Sequence, residues 1–72
     1  MKKYTKVIKI GGDEFVCDDA DQPIRRVAEY FGSSSRTKPT YEEGAREPDR
    51  LIEHDTGKVF VFDEDVMNWV EM

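Results

Sequence analysis

Cysteine, histidine and tryptophan occur once each in this 72-residue sequence, and proline three times. A single thiol, Cys17, excludes an intramolecular disulfide and a four-thiolate zinc site, and it reads as a small buried hydrophobe. No apolar run exceeds a few residues, which is too short to cross a bilayer, and the basic N-terminus lacks the apolar stretch of a signal peptide. The expectation is a soluble cytoplasmic protein with no membrane partner. Positive charge is in deficit too: 11 basic residues face 16 acidic ones, for a net charge of −5. That balance argues against a protein that coats nucleic acid through a general positive field. The bases that are present cluster, with Lys2, Lys3, Lys6 and Lys9 at one end and Arg25, Arg26, Arg36 and Lys38 in the middle, so a local positive face is left open. A chain this short is one small domain, residues 1–72, with a net stability of about 3 to 5 kcal/mol in which every large apolar side chain matters.

The densest structural signal runs from Arg50 to Met72. Val59 to Phe62 is wholly β-branched or aromatic and suits a strand packed on both faces, while Asp55-Thr56-Gly57 supplies the turn of a hairpin. A bulged three-residue loop with Gly57 at positive φ pairs Ile52 with Phe60, the preferred register; a two-residue Thr56-Gly57 turn pairs Ile52 with Val61. Asp63 then reads as a helix N-cap, with Glu64 and Asp65 at the positive end of the helix dipole. Phe62 and Met67 fall where a hydrophobic staple would place them. Val66, Trp69 and Val70 complete an inward stripe, and Trp69 is expected to pack on Phe60 or Phe62.

Upstream, Tyr4 to Ile10 and Phe15 to Asp18 alternate as strands around a Gly12-Asp13 turn, with Ile8, Ile10, Phe15 and Cys17 on the face expected to be buried. Asp21 is a plausible N-cap for a helix in which Ile24, Val27, Ala28 and Phe31 recur at helical spacing before Gly32 stops it. Residues 33–49 form a long polar connection. Either a short helix capped by Thr37 runs through Pro39 to Glu43 and ends at Gly44, or a loop is pinned to the core by Tyr41. The fold class is therefore α+β: an N-terminal β-hairpin, a helix, a long loop or short helix, a second hairpin and a C-terminal helix.

Little in the sequence suggests catalysis. Cys17 and His54 are the one pair able to activate a thiol, and no third group is spaced to orient them. The acidic stretches Asp18 to Asp21 and Asp63 to Asp65 lack the glycine and distal glutamate of a calcium loop and read as caps. No catalytic residue, metal or cofactor is expected.

Taken end to end, the elements form a pattern. A helix ending Val27-Ala28-Glu29-Tyr30-Phe31-Gly32 is followed by Ser33-Ser34-Ser35-Arg36-Thr37, by Tyr41-Glu42-Glu43-Gly44, by the hairpin, and by Val66-Met67-Asn68-Trp69-Val70. That order resembles the MerR-like winged helix-turn-helix domains of phage excisionases and phage terminase small subunits. The resemblance implies a small regulatory or architectural factor on double-stranded DNA. Ser34, Ser35, Arg36, Thr37 and Lys38 would open its recognition helix, with His54 and Lys58 on the wing. The rival reading is an acidic protein-binding module, an inhibitor or adaptor that imitates nucleic acid, in which Glu42, Glu43 and Glu47 meet a basic partner. Pro39 divides the two readings, because it would break the recognition helix.

Overall fold

The computed structural model describes residues 4–72. Its order is β1 (Val7–Ile10), β2 (Asp13–Cys17), β3 (Pro23–Arg26), β4 (Glu29–Gly32), a 3-10 turn (Tyr41–Glu43), β5 (Arg50–Glu53), β6 (Val59–Asp63) and β7 (Asn68–Glu71). The strands make two sheets, β1-β2-β3 and β4-β5-β6-β7. Among the described residues there is no α-helix, so the α+β expectation and the winged-helix resemblance are both overturned.

Both expected helices give way to strands held by backbone pairing with β2, β5 and β6, and of their apolar residues only Trp69 is buried. Asp21 does not cap anything: it sits at φ 63, and it is Asp18 that organises the turn by accepting the N–H groups of Ala20 and Gln22 at 2.9 and 3.0 Å. Arg25 and Arg26, expected on a solvated helix face, instead reach Asp49 and Asp13. In the C-terminal block Asp63 does accept a backbone N–H, from Asp65 at 2.8 Å, but the bond closes a hairpin. Met67 turns the chain at φ 54 and lies half exposed, not stapled to Phe62. So short a helix is marginal in water, whereas β7 pairs along β6 and sets Trp69 beside Phe62.

The first hairpin turns on Gly11 and Gly12, both at positive φ (59 and 88), as a two-residue turn demands; Ile8 therefore faces Phe15 and Ile10 faces Asp13. Of the face expected to be buried, Cys17 is buried, Ile8 and Phe15 are partly so, and Ile10 is exposed. Val16 and Cys17 are both buried, and the register shift between them leaves Ile24 of β3 without a partner, as in a bulge. Ile10 and Ile24 are exposed. In the second hairpin Ile52 faces Val59 and Leu51 faces Phe60, a register shorter than either expected one. The loop is longer: the Gly57 N–H reaches back to the Glu53 carbonyl at 2.8 Å, with Gly57 at φ 74.

β4 and β5 run parallel, which requires a crossover of a dozen or more residues. Residues 33–49 supply it and also close the core. Tyr30, Leu51, Phe60, Phe62 and Trp69 share one face of the second sheet through the strand register. The crossover lies over that face. The Trp69 indole N–H donates to the Pro39 carbonyl at 2.8 Å, the Tyr41 ring stacks on Phe62 at 6.5 Å, and Ala45 is fully buried. Trp69 meets Phe62 and Tyr30 edge-on at 5.2 and 5.8 Å, so the expected contact with Phe62 is present. The short helical turn is present as well, capped by Thr40 and not Thr37: Glu43 accepts the Thr40 N–H at 3.0 Å, and Gly44 follows at φ 108.

Candidate binding surface

The opposite face of the second sheet has no such cover. Side chains alternate along a strand, so the register places Phe31, Ile52, Val59 and Met72 in one row across all four strands and Glu29, Arg50, Val61 and Val70 in the next. Phe31 is 68% exposed, Val70 41% and Met72 72%; Ile52, Val59 and Val61 are half-buried. The His54 ring stacks on Phe31 at 5.1 Å and extends the row past the hairpin tip. This face was not anticipated, although the unbroken apolar run Val59 to Phe62 carried its signal.

The edges of this sheet differ. Arg50 N–H reaches the Ala28 carbonyl and His54 N–H the Gly32 carbonyl. The backbone groups of Ala28, Tyr30 and Gly32 thus point to β5, and those of Glu29 and Phe31 point away. β4 ends the strand order, so no strand of the described residues takes them up. On the far edge, the outward amide of Trp69 is occupied by the Asn68 side chain at 2.8 Å.

Two clefts flank β4. One, about 540 Å³, opens between the sheets and is walled by Asp13, Glu14 and Glu29 against Arg26 and Arg50. Arg50 is paired with Glu14, and this pairing holds the Glu14 carboxyl below its ordinary value. The other, about 170 Å³, lies between β4 and the crossover, with Tyr30 and Leu51 inside and Arg36, Lys38 and Glu53 around it. Glu53 is nearly buried, yet it stays ionised more readily than usual. The Thr56 hydroxyl at 2.7 Å and Lys38 at 3.0 Å both favour its charged form.

The residues proposed from the sequence are dispersed by this fold. Ser34 donates its N–H and hydroxyl to Asp55 at 2.9 and 2.6 Å, which depresses the Asp55 carboxyl. Ser35 pairs with Ser33 at 2.8 Å. Lys38 is committed to Glu53 and lies over the Phe60 ring at 4.7 Å, while Lys58 leans toward Glu71 at 3.9 Å. Thr37 is exposed. Arg36 folds back over Gly32, its Cδ 3.0 Å from where a β-carbon would sit. There is no recognition helix to gather these groups. Glu42 is exposed on the crossover, Glu43 is engaged with Thr40, and Glu47 accepts the Glu64 N–H at 3.1 Å and the Thr5 hydroxyl at 2.6 Å. These three acids sit on the crossover, away from the open apolar rows. Cys17 is buried in the first sheet, and among the described residues no group of three or more potential ligands could hold a metal. No described helix is long and apolar enough to cross a membrane.

Comparison with family models, curated proteins and solved structures gives no match.

Proposed function

We propose that this chain is a protein-binding module whose partner sits on the open face of the second sheet. The observation that carries the reading is the row Phe31, Ile52, Val59 and Met72 on one face of the second sheet, its ends Phe31 and Met72 exposed and Ile52 and Val59 half-buried. Contiguous apolar surface of this kind marks interaction sites in monomeric proteins. Glu29 and Asp63 lie on the same face, and the chain carries a net −5. A partner with an apolar centre and a basic rim is therefore favoured in both encounter and register. A face of about four strands by four residues spans roughly 250 Å² in projection, too small for an obligate interface and suited to a transient one.

The test is capture of partners from a cell extract by tagged chain, with variants on each side of the sheet. Ile52→Lys and Val61→Lys should each lower capture at least tenfold while the circular dichroism spectrum stays that of the parent. Glu42→Lys, on the crossover, should change capture less than threefold. Capture that survives both face variants would rule this surface out.

A further inference from the structure

The open edge of β4 runs from one cleft to the other, and this arrangement suggests how a partner would dock. A strand that ends a sheet offers a ready row of main-chain donors and acceptors, and natural edges are usually blunted. In β7 one of the two outward amides, that of Trp69, is occupied by the Asn68 side chain, and β1 carries Lys9 among its residues. β4, reading Glu29-Tyr30-Phe31-Gly32, leaves the backbone of Glu29 and Phe31 facing outward with no strand beside it among the described residues.

Charge is arranged in opposite senses at its two ends. Beside Glu29 the larger cleft sets three carboxylates against two guanidiniums, leaving one negative charge uncompensated. Past Gly32 the Arg36 guanidinium lies along the smaller cleft, and no hydrogen bond or ion pair among the described residues engages it. Gly32 is what permits this position, because any β-carbon there would press on the Arg36 side chain. The smaller cleft, about 170 Å³, is comparable to an engineered cavity of about 150 Å³ that admits benzene. It has room for one branched or aromatic side chain.

We infer that β4 accepts an extended segment of the partner as a fifth strand, with a basic residue at the Glu29 end, a carboxylate at the Arg36 end, and an apolar side chain in the cleft between β4 and the crossover. Main-chain bonds supply affinity in this mode, and alternate side chains supply specificity. The spacing is set by the strand: Glu29 to Gly32 spans about 10 Å, so the two charges lie three to five residues apart on the partner. The inference rests on the protein-binding reading and adds the edge and the partner's chemistry.

Two blocked hexapeptides test it: lysine–threonine–valine–leucine–threonine–glutamate and its retro-sequence, which presents the same side chains with the chain reversed. One of them should perturb the Glu29 and Phe31 amide resonances and bind at least fivefold tighter than the other. Arg36→Gln should lower the affinity of the tighter peptide at least threefold. Phe31→Pro removes an outward N–H without taking a bond from β5 and should lower affinity at least tenfold. Should the proline variant not fold, the same peptide N-methylated at alternate amides asks the question from the other side and should not bind. Peptides that bind equally, that bind elsewhere, or that fail to bind overturn the strand-addition inference. If Ile52→Lys still abolishes capture in that event, the protein-binding reading survives without it.

Discussion

Donors converge on Asp49 from three directions. Arg25 reaches both its oxygens at 2.9 and 3.0 Å, and the N–H groups of Ala28 and Arg46 each donate at 3.0 Å. The side chain has no exposure to solvent, while Arg25 is 29% exposed. A buried carboxylate is expensive to desolvate and is tolerated only when its lone pairs are filled, so removing the charge leaves several donors facing an amide that can satisfy only some of them. Asp49→Asn should lose about 3 kcal/mol, a large part of what a domain of this size has to spare. The urea midpoint would report it, and a shift worth less than about 1 kcal/mol would mean that the site relaxes or hydrates.

At the level of elements, the β6–β7 hairpin holds a residue out of its preferred conformation. Met67 occupies the left-handed region at φ 54 and is half exposed, so its side chain gains little from packing. Met67→Gly should stabilise the chain by about 0.5 to 1 kcal/mol, since the β-carbon penalty in that region outweighs the extra freedom of glycine in the unfolded chain. Thermal unfolding of the two proteins side by side would show it, and an unchanged or lowered midpoint would contradict it. The same hairpin explains how much of the fold could be read in advance. Both hairpins that turn on glycine, and Trp69 against Phe62, follow from local residue chemistry. The strands at Pro23 to Gly32 and at Asn68 to Glu71 do not, because their apolar spacing fits a helix as well as a sheet. An aspartate that accepts an N–H two residues on looks identical in sequence whether it caps a helix or closes a turn. What decided between them was pairing with β2, β5 and β6, which local spacing does not encode. The open face of the second sheet was hidden for the same reason: it exists only once the register is known.

Across the whole molecule, the two sheets are joined differently from how each is built. No residue of the first sheet belongs to the aromatic core. Its attachment runs through Arg25 to Asp49, Arg50 to Glu14 and Thr5 to Glu47. Such contacts weaken with salt and acid far more than apolar packing does. Arg50 depresses the Glu14 carboxyl below the ordinary 4.5. The contribution is therefore complete above that value and is lost as pH falls through the lower folded one. Glu14→Gln at neutral pH, or acidification of the parent below about pH 4, should speed amide exchange in β1 to β3 while Trp69 fluorescence holds its native value. Coincident loss of both signals would mean that the sheets unfold as one.

The crossover over the core has a consequence for access. It enters from Gly32 in β4 and leaves into Arg50 of β5, and those two strands are bonded to each other. It is thus a strap moored at both ends, not a flap on one hinge. A flap swings aside and leaves the sheet intact; a moored strap lifts only as far as its slack allows, and any further pull falls on its own anchor strands. Phe62 and Trp69 can therefore be reached from the strap side only by loosening β4 from β5. A visitor that respects the fold is confined to the rim of the strap and to the sheet's outer side.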